Sequence, residues 1–225
     1  MALIAPSLLT ADFARLADAL AIIKAAGATM IHVDVMDGHF VPDISVGQPV
    51  IRSLRRATDL ALDVHLLIER PERYVAEFVE AGADRLAVHV EATPHAHRVL
   101  EQIRAHGAQA GVAVNPGTPL DSVSEVLGDA DFLCLLTADP GMPEQKYIPP
   151  SVGKVRAAAR ARQEGRWNFQ IQVEGGIRGD AVDELIHAGA DILVAGSAIF
   201  HYDDPKRGLT ELIRLASAAG QTSRV

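Results

Sequence analysis

Five times along the 225 residues a helical run ends in glycine and a short apolar strand follows. The junctions are "AAGATMIHVDV" with Gly27, "EAGADRLAVHV" with Gly82, "AHGAQAGVAV" with Gly107, "LGDADFLCLL" with Gly128 and "HAGADILVAG" with Gly189. Glycine just past a helix end takes up left-handed backbone without a Cβ clash. The strands are runs of Val, Ile, Leu and Ala, the pattern of strands covered on both faces in a parallel sheet. The periodicity predicts strands at 3–7, 30–35, 60–66, 85–90, 109–114, 131–136, 169–174 and 191–195. It predicts helices near 12–26, 48–57, 71–81, 95–106, 119–127, 150–164, 179–188 and 205–219. Eight strand–helix units of about 28 residues fit a lean closed barrel. The chain therefore reads as α/β, with residues 1–225 forming a single (β/α)8 TIM barrel domain. A doubly wound open sheet is the alternative, but no GxGxxG follows the first strand. The tail "SAAGQTSRV" is expected to fray.

Composition narrows the partners. Apolar residues make up 48% and charged residues 22% of the chain, as in ordinary globular proteins. No run of 18 apolar residues occurs, so no membrane span is expected. The N-terminus "MALIAPSLLTADF" has no basic region before its apolar stretch and reads as no secretory signal. Cys134 is the one cysteine, which excludes an intramolecular disulfide and suits a reducing cytoplasm. Its simplest role is that of a small buried side chain. The net charge of −8 argues against nucleic acid as partner. An anionic small molecule stays possible, because local dipoles or a metal can outweigh the global charge.

Polar residues then interrupt strands that otherwise read as core. His32 and Asp34 lie two apart in "IHVDVMDGHF" and face the same side, the barrel interior. Ser7, His65 and Glu174 end other strands, at the rim where barrels of this kind carry their sites. His32, Asp34, His65 and Glu174 can hold a divalent cation, since imidazole and carboxylate suit Zn, Fe, Mn or Co. A satisfied polar network without metal is the alternative. Asp37 reads as a turn cap with Gly38, His39 as a loop residue, and His89 as core or as a support behind the site. "EGGIRGD" puts Gly175 and Gly176 after strand seven, and "VAGSAIF" puts Gly196 and Ser197 after strand eight. These loops are rim neighbours, and their backbone N–H groups often form a phosphate site. Tight turns alone would also explain them.

The segments "IAPSLLTADFARL", "IHVDVMDGHFVPDISVG", "LDVHLLIERPERYV", "AGADRLAVHVEA", "NPGTPL" and "AGSAIF" resemble the ribulose-phosphate 3-epimerase family from Ile4 to about Leu215. The resemblance implies a (β/α)8 barrel that inverts C3 of a pentulose 5-phosphate. It implies a divalent metal on His32, Asp34, His65 and Glu174, with Asp34 and Glu174 as acid and base on opposite faces of C3. Ser7 takes the family's substrate-binding serine position. His65, Gly141, Gly175, Gly176, Gly196 and Ser197 complete the expected substrate contacts. The implied partner is a sugar phosphate, and the expected assembly is a homo-oligomer in the cytoplasm.

Four departures cluster at the expected site. The family's "VDGG" is "VEGG", placing Glu174 where an aspartate is expected. Its "NPGFGGQ" is "DPGMPEQ", residues 139–145, where Pro143 lacks an N–H and Glu144 adds negative charge. Leu67 and Leu136 replace methionines, while Met36 is retained; Lys146 reads first as a solvated surface lysine, with replacement of lost phosphate contacts as the alternative. Three functions follow: 3-epimerisation of a ketose phosphate, an isomerase or lyase reaction through the same enediolate, or a weakly active relative that binds a metabolite.

Overall fold

Side-chain alternation along the strands decides what fills the barrel and what carries the helices. The computed structural model describes residues 2–142 and 146–222. Strands β1 (Leu3–Pro6), β2 (Met30–Met36), β3 (Ala61–Leu67), β4 (Arg85–His89), β5 (Gln109–Val114), β6 (Phe132–Leu136), β7 (Gln170–Glu174) and β8 (Ile192–Ala195) all pair in parallel. Their order is β1-β8-β7-β6-β5-β4-β3-β2. A parallel bridge between Ser7 and His32 joins β1 to β2 across the last seam, so the barrel is nearly closed. Helices α1 (Leu16–Ala25), α2 (Gln48–Ala57), α3 (Val75–Glu80), α4 (Ala96–Ala105), α5 (Ser151–Gly165), α6 (Gly179–His187), α7 (Ser197–Phe200) and α8 (Pro205–Thr222) lie between and after the strands.

Ile31, Val33 and Val35 of β2 and Leu62, Val64 and Leu66 of β3 point outward into one apolar layer with Ile23, Leu54 and Phe78 of the helices. Each such burial contributes about 1.5–3 kcal/mol relative to exposure. The alternate positions point inward, and there the chain places His32, Asp34, Asp63, His65, Arg85, Gln172 and Glu174, all buried. Phe132 fills the barrel beside Gly111, where a Cβ would meet its ring at 2.2 Å. The Arg85 guanidinium carbon lies 4.0 Å from the centroid of that ring.

Several predicted elements differ in detail. The side chain of Asp12 accepts from the Ala14 N–H and closes a 3-10 turn, Phe13–Arg15, so the first α-helix starts only at Leu16. Pro71 opens another 3-10 turn, Pro71–Arg73, ahead of α3. The helix predicted at 119–127 is a 3-10 segment, Leu120–Asp129. Its Asp and Ser side chains compete for backbone groups, and the Ser124 hydroxyl donates to the Asp121 carbonyl at 2.9 Å. Gly128 therefore sits inside that segment rather than past a helix end. A Cβ there would lie 3.2 Å from the Trp167 indole nitrogen, which gives the glycine a packing reason instead. Residues 217–222 of the tail continue α8 rather than fray. Among the described residues no helix is long and apolar enough to cross a membrane.

Candidate metal centre and active site

Register brings the inward polar residues into layers. Asp34 pairs with His65 and His32 with Asp63 across β2 and β3, and Glu174 reaches in from β7. The Thr137 hydroxyl donates to the Glu174 and Gly175 carbonyls at 3.0 and 2.6 Å and fixes the end of β7. One ligand atom from each of His32, Asp34, His65 and Glu174 lies within 4.8 Å of the others, and all four residues are buried. His32 Nε2 is 3.2 Å from Asp34 Oδ1 and 3.1 Å from Glu174 Oε2. His65 Nδ1 is 3.4 Å from Asp34 Oδ1 and 3.0 Å from Glu174 Oε2.

That last nitrogen tests whether the cluster suits a cation. His65 Nδ1 is buried with no hydrogen-bond partner, although two carboxylate oxygens stand within ion-pair distance. The contacts are close but not aligned as N–H···O bonds. Two nitrogens and two carboxylates that converge on one point, His32 Nε2 also hydrogen-bonded to Asp34 Oδ1, make a donor set for a divalent cation. His32 is held for the same task from behind. Its Nδ1 faces Asp63 Oδ2 at 2.7 Å, and Asp63 also accepts from Arg85 Nε at 3.0 Å and Gln172 Nε2 at 2.9 Å. A carboxylate behind Nδ1 keeps a hydrogen there, so Nε2 is the nitrogen that a cation would take.

The electrostatics agree. Burial disfavours charge on His32, but the Glu174 and Asp34 carboxylates outweigh it and hold its pKa well above the usual 6.5. For His65 burial is likewise overcome by Glu174 and Asp34, which raise it to about 9. Burial pushes Asp34 up, yet His32 and His65 hold it well below the usual carboxylate range. Glu174 is pushed up by burial and by Asp34 and pulled down further by His65 and His32, ending below its ordinary value. Without a cation the centre carries two imidazoliums against two carboxylates. Cys134 sits beside it as a neutral thiol, its pKa raised by burial and by Glu174.

Above the cluster opens a cavity of about 800 Å³ lined by Ser7, Asp34, Glu174, Gly175, Gly176, Gly196 and Ser197, among others. The Ser7 hydroxyl donates to Asp34 Oδ2 at 2.9 Å. His32 and His65 are fully buried beneath the carboxylates and are not among the residues that line the cavity. Gly141 is also off the wall: it packs on the β2–α2 loop, where a Cβ would lie 2.8 Å from Val41 and 2.9 Å from Pro42. Gly175 and Gly176 have φ of +115° and +66°, and a Cβ would meet the Ala138 and Tyr147 backbone nitrogens at 2.6 and 2.5 Å. Only glycine lets β7 turn here against those strand ends. Leu67, Leu136 and Met36 form one buried apolar cluster with Cys134 and Val41. Pro143 and Glu144 lie outside the described residues. A larger cleft of about 1150 Å³ between α6 and α8 holds none of the four clustered residues, but shares Arg178, Ser197 and His201 with the mouth.

Asp37 does more than cap its own turn. It accepts from the N–H groups of His39 and Phe40 and, across to the next loop, from that of Glu69 at 2.9 Å. Sequence reasoning missed Asp63, Gln172, Glu91 and Arg178. Asp63 had a signal: it stands two before His65 on one strand, the same alternation as His32 and Asp34. Arg178 had none, because its place at the mouth follows from the turn at Gly175–Gly176.

The chain matches the ribulose-phosphate 3 epimerase family over residues 3–200. It is 44% identical over 210 residues to ribulose-phosphate 3-epimerase of Bacillus subtilis (strain 168), which covers 93% of this chain and 97% of that one. It is 45% identical over 197 residues to ribulose-phosphate 3-epimerase of Treponema pallidum (strain Nichols), with 88% and 90% covered. Among solved structures, KGPDC from Streptococcus mutans shares the fold at a TM-score of 0.73 and 14% identity, with 96% and 98% covered. A 3-hexulose-6-phosphate synthase shares it at 0.69 and 21%, with 96% and 99% covered.

Proposed function

The chain belongs to the ribulose-phosphate 3-epimerase family, and from that premise we propose that it interconverts ribulose 5-phosphate and xylulose 5-phosphate by proton transfer at C3. The observation that carries the reading is the pair Asp34 and Glu174 on one cavity wall, with two buried histidines behind them. The two carboxylates stand on β2 and β7, three strand steps apart around the rim, which suits groups that work on opposite faces of a carbon. One takes the C3 proton and leaves an enediolate. The other, which enters the cycle carrying a proton taken up from solvent, gives that proton to the opposite face, and C3 is inverted. The pair ends with its protonation states exchanged, which the reverse reaction or solvent resets. Ser7 holds Asp34 through Oδ2. A divalent cation such as Zn, Fe, Mn or Co held by His32, Asp34, His65 and Glu174 would stabilise the charge of the enediolate oxygens by several kcal/mol.

The phosphate would lie at the side of the mouth formed by Gly175, Gly176, Gly196 and Ser197, beside the cationic residues Lys146 and Arg178. Lys146 lines the cavity, which favours a phosphate contact over the solvated surface lysine expected from sequence. A cytoplasmic location and self-association as a homo-oligomer belong to the same reading, and light scattering tests the second. Incubation with ribulose 5-phosphate in D2O tests the whole. Xylulose 5-phosphate with deuterium at C3 is the expected product. Exchange at C3 with a different product would support an isomerase or lyase, and no exchange a metabolite-binding relative.

Two substitutions probe the departures. Arg178→Gln is expected to raise KM for the phosphorylated ketose about tenfold, at the low end for a charge-assisted contact because the residue is exposed. Steady-state kinetics should show kcat unchanged, since the contact is made equally in ground and transition states. Glu174→Asp is expected to lower kcat by about ten- to a hundredfold. The glutamate already reaches both histidines within 3.1 Å, and a shorter side chain on the same strand falls short of them. A gain in ribulose 5-phosphate turnover instead would mark Glu174 as drift from the family's aspartate.

A further inference from the structure

Two segments that resembled the family, "AVHVEA" and "NPGTPL", have no part in the chemistry above, yet the fold joins them directly behind the metal centre. Glu91 follows β4, and its Oε1 accepts from the Asn115 N–H at 2.8 Å and from the Thr118 hydroxyl. Its Oε2 faces His89 Nδ1 at 2.9 Å. His89 Nε2 in turn faces His65 Nε2 at 2.9 Å. The two imidazole planes are 18° apart with centroids 5.0 Å apart, which with facing nitrogens at that distance is in-line N–H···N pairing rather than face contact.

We infer that Glu91, acting through His89, fixes the tautomer of His65 and so sets how tightly the four-residue centre holds its cation. The inference rests on the metal reading of that centre. A carboxylate only accepts, so His89 Nδ1 carries a hydrogen. A neutral His89 then has a bare Nε2, which can only accept. His65 must supply the hydrogen from its own Nε2, and its Nδ1 is left bare. That Nδ1 is the buried nitrogen with no hydrogen-bond partner that faces Asp34 and Glu174. His89 is fully buried, and its two ring nitrogens face Glu91 and His65. The relay is anchored at its far end: Lys154 of α5 donates to the carbonyls of Asn115, Pro116 and Thr118 and holds the loop that grips Glu91.

The two histidines are thus held by different devices. His32 has a carboxylate directly behind it, Asp63, itself paired with Arg85 in the barrel interior. His65 has an imidazole between it and its carboxylate, and that carboxylate keeps 23% of its side-chain surface exposed. Glu91 and His89 are positioning residues, and the His65 arm is the one whose hold on a cation the β4 and β5 loops can adjust.

The test compares His89→Leu, His89→Gln and Glu91→Gln with the unaltered protein. Zinc affinity is read by competition with a chelator, and the His65 ring nitrogens by 15N NMR, in zinc-loaded protein and in zinc-free protein over a pH series carried until the ring shifts show a neutral imidazole. His89→Leu should weaken zinc binding by about 10- to 100-fold, as loss of an outer partner of a ligating histidine does, and should mix the His65 tautomers. His89→Gln, whose amide oxygen can accept at the same place, should recover most of the affinity. Glu91→Gln should lose less than His89→Leu. Unchanged affinity and unchanged His65 nitrogen shifts in His89→Leu would overturn the inference. If that variant does not fold, the same two results in Glu91→Gln would overturn it. Should the unaltered protein bind no zinc, the metal reading fails, while the zinc-free nitrogen shifts still decide whether His89 sets the tautomer.

Discussion

Asp34→Asn is expected to lower both epimerisation and C3 proton exchange by about 100- to 10,000-fold, the usual worth of a positioned acid–base group. The substitution keeps the shape but replaces an acceptor-only carboxylate by an amide. Asp34 Oδ2 accepts from the Ser7 hydroxyl, and Oδ1 faces both His32 and His65. Whichever way the amide turns, either Ser7 or the histidine pair meets an N–H instead of an oxygen. The carboxylate that helps raise both imidazoles is lost as well, so zinc affinity should fall together with rate. The barrel should persist by circular dichroism, because the strand keeps its register and its outward Val33 and Val35. Near-normal deuterium exchange at C3 in this variant would remove Asp34 from the mechanism. Ser7→Ala, which leaves the carboxylate in place, should cost far less.

What the sequence disclosed about this site follows from what alternation can and cannot say. Polar residues two apart on a buried strand must share the interior, so His32 with Asp34 were legible, as were the rim positions of Ser7 and Glu174 at strand ends. The same logic reaches Asp63, but an aspartate early in "LALDVHLLI" reads as a strand start until register sets it beside His32. Glu91 was beyond reach for another reason. Its importance comes from a contact through His89 and from a loop gripped by a lysine 63 positions along the chain, and no spacing rule encodes that path. The helices show the converse. Apolar spacing placed α2 and α5 well, but it cannot separate an α-helix from a 3-10 run where Ser and Asp side chains compete for the backbone, as at Leu120–Asp129. Gly128 was misread with it, since a glycine that makes room for Trp167 looks in sequence like one that ends a helix.

Removal of metal should abolish most activity and reverse the pH dependence of stability. In metal-free protein the centre holds itself together by imidazolium–carboxylate attraction. His65 has a folded pKa of about 9 against an ordinary 6.5, and His32 is raised well above its ordinary value too. A raised folded pKa means stabilisation that is complete below about pH 6.5 and lost as pH rises through the folded value. Chelated protein should therefore melt at progressively lower temperature from pH 6.5 to 9. A bound cation needs both nitrogens bare, so its affinity grows over the same interval, and loaded protein should not share the decline. Each dication takes the place of two protons at unchanged total charge, and at pH 7 binding should release about two protons. Calorimetric titration with zinc in two buffers of different ionisation enthalpy reads that number, and melting curves with and without chelator read the stability. Release near zero would mean that in the metal-free centre the histidines are already neutral while both carboxylates are already ionised. Full activity after exhaustive chelation, with no response to added Zn, Fe, Mn or Co, would take the metal out of the mechanism, leaving the two imidazoliums to stabilise the enediolate while Asp34 and Glu174 move the proton.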